Sequence, residues 1–246
     1  MPEGDTIFRT ARTLQRALGG RAVTRFITVL PKLARVDDQA KIAGRTIERV
    51  HAVGKHLLID FSGGLTLRTH MRMNGSWHIY RSGERWQRPR DDMRIVIETD
   101  AYVAVGFNIP VAEFTNETPR LGPDLLGETF DIDEALRRVR EHPREEIGNV
   151  LLDQRVIAGI GNIWKSESLH AAGVDPFHRI AELDDATIIN ILTIARKQLR
   201  ASANATSRVR HSVYGAKLCR KCGTRIEYRK QGEDVRGTYW CPKCQM

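Results

Sequence analysis

The chain has 246 residues, 41% of them hydrophobic and 28% charged, which is enough apolar material for a buried core in one large domain or two modest ones. No run approaches the 18 apolar residues of a membrane span, and the polar, acidic start lacks the basic-then-apolar pattern of a signal peptide. The expected compartment is therefore the cytoplasm. A net charge of +9 points to a polyanionic partner, and its distribution sharpens that: Ser207–Met246 carries 10 Lys or Arg against 3 Asp or Glu.

Taken in order, the chain opens with Met1-Pro2-Glu3-Gly4-Asp5. The small second residue permits removal of Met1. Pro2 then becomes a free secondary amine beside the Glu3 carboxylate, a pairing suited to imine chemistry. Residues 5–18 read as a helix: Ile7, Ala11, Leu14 and Leu18 recur at helical spacing, with Asp5 as N-cap and Gly19 as terminator. From Ala22 to Phe107 the texture is strand after strand with no helical pattern between. The segments are Val23–Val29, Thr46–Val53, His56–Phe61, Leu65–His70, Trp77–Tyr80, Arg94–Thr99 and Tyr102–Phe107, with Ser62-Gly63-Gly64 as a hairpin turn. That succession predicts an antiparallel sandwich or barrel.

Residues 116–130 read as a linker, rich in turn formers around Asn116–Asp124. Helices follow. Asp131 and Glu134 form a capping box for a helix to Arg140. Others are expected over Glu145–Arg155, Asn162–Ala172 (closed by Gly173) and Asp184–Arg200, the last with Ile188, Leu192, Ala195 and Leu199 on one face. Ala201–Arg210 is small and polar and reads as a mobile loop.

The most specific motif is Cys219-x2-Cys222-x18-Cys241-x2-Cys244. In a reducing compartment, two close thiol pairs at this separation suit one tetrahedral zinc ion, and with four protein ligands that ion is structural. Ala158-Gly159-Ile160-Gly161-Asn162 is not a dinucleotide fingerprint, because Trp164 stands where the third glycine belongs. It reads as a turn between helices. With Asn162 as N-cap it is either a phosphate site or an ordinary connection. Lys55 at a strand start, and Met71 and Met73 in a loop after His70, are on their own surface and packing residues.

Together these stretches resemble the formamidopyrimidine-DNA glycosylase/endonuclease VIII family over nearly the whole chain. PEG at 2–4 looks like the endonuclease VIII branch, and GKHLL at 54–58 holds the family lysine. THMRMNGSW at 69–77 looks like the loop that enters the duplex. LLDQRVIAGIGN at 151–162 is similar to the helix–two-turns–helix signature, and RGTYWCPKC at 236–244 to the zinc-finger hairpin. The resemblance implies an α+β fold. An N-terminal antiparallel β-sandwich flanked by helices (1–115) would lead through the linker to a helix–two-turns–helix domain (131–215) and a zinc-finger β-hairpin (216–246), with DNA in the cleft between the domains.

It implies a monomeric, cytoplasmic, nucleoid-associated DNA glycosylase/AP lyase acting on double-stranded damaged DNA. Pro2 would be the nucleophile, Glu3 the acid/base, and Lys55 a phosphate-holding residue of the catalytic centre. His70, Asn162 and Arg236 would hold phosphates. Arg72, Met73 and Asn74 would form the wedge, with Met73 filling the gap left by the flipped nucleotide.

The sequence departs from the family pattern at several points. Thr6 stands where many members have Glu, and Arg72-Met73-Asn74 replaces a Gln-Leu-Tyr wedge. The purine branch's Arg-Arg-Phe-Gly run is absent near Gly106-Phe107, and the zinc loop is about two residues longer than usual. The start sequence and the missing second wedge favour oxidised pyrimidines as substrates. An oxidised-purine glycosylase, a catalytically weak paralogue that binds damaged or abasic DNA, and a zinc-ribbon binder with an inert Pro2 are the alternatives.

Overall fold

The computed structural model describes residues 2–117, 119–207, 209–233 and 235–246. The chain divides into two compact units, one of Pro2 with Thr6–Pro119 and one of Glu3–Asp5 with Arg120–Met246.

The first unit is the expected β-sandwich. One antiparallel sheet has the order β1 (Arg25–Thr28), β6 (Met93–Glu98), β7 (Tyr102–Phe107), β5 (Ser76–Arg81). The other runs β2 (Ile47–Val53), β3 (His56–Phe61), β4 (Leu65–His70), β8 (Val111–Phe114). Strand alternation decides which residues meet. Ile95, Ile97 and Ala104 join Ile47, Leu57, Ile59, Phe61 and Leu67 in one core, while Val96 and Val105 point the other way to Tyr80 and Phe107. Helix α1 (Gly4–Leu18) lays Ile7, Ala11, Leu14 and Leu18 into the first core, as their spacing predicts. Gly63 and Gly64 turn β3 into β4 at positive φ, 83° and 72°.

Two expectations fail here. Asp5 does not precede α1 as its cap but stands in the first turn, where Ser202 Oγ donates to its carboxylate at 2.5 Å. The strand run is interrupted by a helix, α2 (Pro31–Ala40), which Pro31 opens with its preset φ and which buries only Leu33. One inward residue in ten leaves no apolar period to read.

The second unit contains α3 (Ile132–Arg140), α4 (Ile147–Val150), α5 (Asn162–Ala172), α6 (Asp185–Asn204) and the hairpin β9 (Glu227–Gln231)–β10 (Arg236–Trp240). Asp131 caps α3 by accepting from Glu134 N at 2.9 Å; only this half of the capping box forms, because the Glu134 carboxylate is taken by Arg137 and Arg138. The helix expected over Glu145–Arg155 is a single turn. Asp153 Oδ1 accepts from Arg155 N, and Gln154 donates to Leu152 O and Ile160 O, so side chains replace the helical ladder. Asp184 caps α6, which buries Ile188, Leu192, Ala195 and Leu199. That helix continues to Asn204, so the expected loop at 201–210 begins four residues later; within it, Arg208 lies outside the described residues. No helix among the described residues is long and apolar enough to cross a membrane.

Candidate active site and nucleic-acid interface

In the second unit the centre is the start of α5. The turn before it holds the N-terminal segment through two close backbone approaches. Gly4 N donates to Gly159 O at 2.9 Å, and a Cβ on Gly4 would lie 2.7 Å from that oxygen. Gly161 is the N-cap, and a Cβ there would lie 2.4 Å from Glu3 Cδ. The Glu3 side chain fills the space that Gly161 leaves. Its Oε1 accepts from Ile163 N at 2.7 Å and its Oε2 from Trp164 N at 3.2 Å. Glu3 is only 1% exposed and sits at the positive end of the α5 dipole.

This overturns one sequence expectation. Asn162 is the first helical residue, not the cap, and of the two readings left open for this turn the backbone N–H groups of Ile163 and Trp164 that a phosphate would use are occupied by Glu3. Asn162 instead donates through Nδ2 to Gly237 O at 2.5 Å, which ties α5 to the hairpin next to Arg236.

Helix α5 is buried along Trp164–His170 yet carries Lys165, Glu167 and His170. Lys165 is 0% exposed; its Nζ donates to Thr238 Oγ1 at 2.6 Å and to Gln231 Oε1 at 3.5 Å. Burial, reinforced by Arg236, lowers its pKa to about 8 against the opposing pull of Glu3 and Glu146. Glu167 accepts three consecutive backbone N–H groups, from Ser212, Val213 and Tyr214, at 2.7–2.9 Å. This ring of donors fixes Tyr214, whose ring centroid lies 4.9 Å from that of Tyr239. Sequence reasoning missed Lys165 and Glu167. Charged residues directly after the Gly161-Asn162 turn are a signal only when the helix is known to be buried.

Cys219, Cys222, Cys241 and Cys244 come together as their spacing requires, with all four sulfurs within 4.8 Å of one another. Sulfur separations of 3.9 Å (Cys219–Cys244) and 3.5 Å (Cys222–Cys241) bracket the roughly 3.8 Å edge of a tetrahedron with 2.3 Å metal–sulfur bonds. The donor set and its shape fit one metal ion. His170 Nε2, 3.3 Å from Cys219 Sγ, supports the cluster from α5.

In the first unit, Lys55 stands in the β2–β3 turn after Gly54 (φ 58°), not on a strand. His70 ends β4 opposite His56, and the two rings meet edge to face at 5.0 Å. Arg72 N donates to His70 Nδ1 at 3.0 Å, so the neutral ring carries its proton on Nε2. Burial, with His56, Arg72 and Lys55 nearby, lowers the His70 pKa to about 4. Burial, with Arg68 and Arg72, does the same for His56. The two loop methionines separate sharply. Met71 is 2% exposed in the sandwich core, whereas Met73 is 67% exposed between exposed Arg72 and Asn74. Arg72 adopts the left-handed conformation (φ 49°), which turns the loop between buried anchor and exposed tip. Pro2 is half-buried and covalently next to Glu3; Met1 lies outside the described residues.

Comparison with known proteins settles the lineage. Residues 1–109 match the formamidopyrimidine-DNA glycosylase N-terminal domain and residues 121–211 the formamidopyrimidine-DNA glycosylase H2TH domain. The chain is 40% identical to a probable endonuclease 8 2 of Streptomyces coelicolor, covering 100% of this chain and 94% of the relative. The chain belongs to the formamidopyrimidine-DNA glycosylase/endonuclease VIII family. Within that family it is endonuclease VIII-like. It is also 35% identical to the DNA-(apurinic or apyrimidinic site) lyase Nei2 of Mycolicibacterium smegmatis, covering 100% of this chain and 99% of that one. The fold matches the Lactococcus lactis Fpg in its complex with abasic-site DNA, with a TM-score of 0.85, 21% identity and full coverage of both chains. As a member of this family the chain is a DNA glycosylase/AP lyase of base excision repair.

Proposed function

We propose that the chain removes oxidised bases, pyrimidines foremost, from double-stranded DNA as a monomer and then cleaves the strand, with Pro2 as nucleophile once Met1 is gone. The observation that carries this reading is the clamping of Glu3 on the α5 amides, which immobilises a carboxylate one residue from the Pro2 nitrogen.

A stacked base is out of reach, so the nucleotide is flipped at a cost of a few kcal/mol, and exposed Met73 fills the gap it leaves. The Pro2 nitrogen lone pair attacks C1′; the glycosidic bond breaks, and the base departs with its electron pair and a proton. The C1′–O4′ bond of the resulting N,O-acetal then breaks, O4′ taking up a proton, and the iminium so formed acidifies the proton on C2′. Loss of that proton expels the 3′ phosphate by β-elimination, and a second elimination expels the 5′ phosphate. Glu3 moves protons during ring opening and elimination. Lys55, His70 through its Nε2–H, Asn162 and Arg236 hold phosphates; Arg72 and Asn74 flank the wedge. Zinc, bound by the four cysteines, holds the finger together and takes no part in the chemistry.

The test uses protein whose N-terminus is confirmed to be Pro2. It is incubated with an abasic-site duplex and borohydride, and a covalent adduct is expected that vanishes when the terminal amine is blocked. Binding without an adduct would overturn the reading. A panel of duplexes with oxidised pyrimidines or purines then decides the base class.

A further inference from the structure

We propose that Lys165 is a positioning residue for the phosphate site of Arg236: its buried ammonium grips the hairpin on the Arg236 face and lends that site a second positive charge. The inference rests on the assignment of Arg236 to phosphate above.

The β9–β10 register sets Arg236 directly opposite Gln231, and Thr238, two residues further along β10, shares their face. Lys165 meets this face from α5. Its Nζ donates to Thr238 Oγ1 at 2.6 Å and to Gln231 Oε1 at 3.5 Å. One turn earlier on α5, Asn162 Nδ2 donates to Gly237 O. Helix α5 thus holds β10 at two consecutive residues, the two that follow Arg236. Gln231 is fixed in turn, its Nε2 donating to Glu146 Oε2 at 2.7 Å and to Pro176 O at 2.8 Å.

The lysine is not needed to satisfy this face. Thr238 Oγ1 donates to Gln231 Oε1 at 2.8 Å, so the two would stay paired beside an apolar side chain in its place. Both bonding partners of Nζ are neutral, and burying an ammonium among neutral groups is unfavourable unless its charge is used. What Lys165 adds is charge. The charged groups around it are Arg236 of β10, Glu3 of the N-terminal segment and Glu146 before α4, the last also 3.9 Å from Arg229. Arg236 works to push the Lys165 proton off, and an anion bound at Arg236 would draw it back. Phosphate binding and protonation of Lys165 are therefore linked, each favouring the other.

The experiment measures binding of metal-loaded protein starting at Pro2 to a duplex with a tetrahydrofuran abasic analogue. Wild type, Lys165→Met and Thr238→Val are compared on both sides of the Lys165 pKa of about 8. Wild-type affinity is expected to fall about tenfold as pH rises through that value, and Lys165→Met to abolish most of the fall. Thr238→Val keeps the ammonium but removes its acceptor, so its fall is expected at lower pH. The Pro2 amine titrates alike in all three proteins, and differences between their curves belong to Lys165. A lysine that only packs would lower affinity equally at every pH. A Lys165→Met curve parallel to wild type therefore overturns the proposal. If Lys165→Met fails to fold, Thr238→Val decides, and an unshifted midpoint overturns it. Arg236→Ala over a salt series tests the underlying assignment and is expected to flatten the slope of log K by about one phosphate's share. An unchanged slope removes the phosphate site and this proposal with it. A flattened slope beside a parallel Lys165→Met curve removes Lys165 alone.

Discussion

Glu3 Oε1 accepts the backbone N–H of Ile163 at 2.7 Å, so a residue three from the chain start is the anchor of a helix 160 positions later. The same carboxylate is the proposed proton carrier for Pro2. Glu3→Gln keeps one acceptor for the α5 amides but can neither take up nor release a proton. The expected outcome is a loss of about 10²–10⁴ in single-turnover base excision, with folding stability lowered by about 1 kcal/mol. Rapid-quench excision and a denaturant melt check both figures. An excision rate within tenfold of wild type would remove Glu3 from the chemistry.

Gly161→Ala tests the same contact without touching a titratable group. The new methyl would stand 2.4 Å from Glu3 Cδ, so the carboxylate must leave its place on α5. Excision is expected to fall by at least tenfold while metal content and duplex binding stay near wild type. Retained activity would show that the position of Glu3 on α5 is not required.

Seven of the eight sandwich strands and the buried faces of α1 and α6 were legible because alternation and helical spacing follow directly from which faces are buried. Ile7, Ala11, Leu14 and Leu18 on α1 are the clearest case, while the four-residue β8 was too short to show a pattern. Helix α2 was not legible, since only Leu33 is buried. Of the candidate site, the cysteines were readable from spacing alone. Pro2 and Glu3 were readable as an amine beside a carboxylate once Met1 is removed, and the resemblance added the target of that amine. Lys165 and Glu167 could not be found, because a helix buried on several faces shows no period and its charged residues mimic a solvated side.

Acid should weaken the first unit through its histidine pair. His56 and His70 titrate near 4 in the folded protein against 6.5 for an unperturbed imidazole, so between these values the unfolded chain binds more protons. Stability from this source is complete above about pH 6.5 and is lost as pH falls towards 4. After discounting for partial exposure, the loss is about 1–2 kcal/mol per histidine. Urea melts from pH 7 to 4 check it. His56→Phe keeps an aromatic ring against His70 and is expected to reduce the slope. An unchanged slope would place the acid sensitivity elsewhere.

Metal removal should separate the finger from the rest of its unit. The segment from Val213 to Met246 has a small apolar cluster of Val213 with the cysteines and Ile226, too little to fold unaided. The sandwich core and the cluster around α5 and α6 contain none of these residues. Chelation, or Cys241→Ser, is therefore expected to release the β9–β10 hairpin while most of the helical and strand signal persists. Arg236 and the Asn162–Gly237 hydrogen bond would be lost with it. Duplex affinity is expected to fall at least tenfold, with a shallower salt dependence because the proposed phosphate contact of Arg236 goes with the hairpin. Hydrogen exchange would locate the loosening: fast exchange confined to β9, β10 and the cysteine turns supports a purely structural ion. Loss of protection in the β-sandwich on chelation would show instead that the metal stabilises the whole chain.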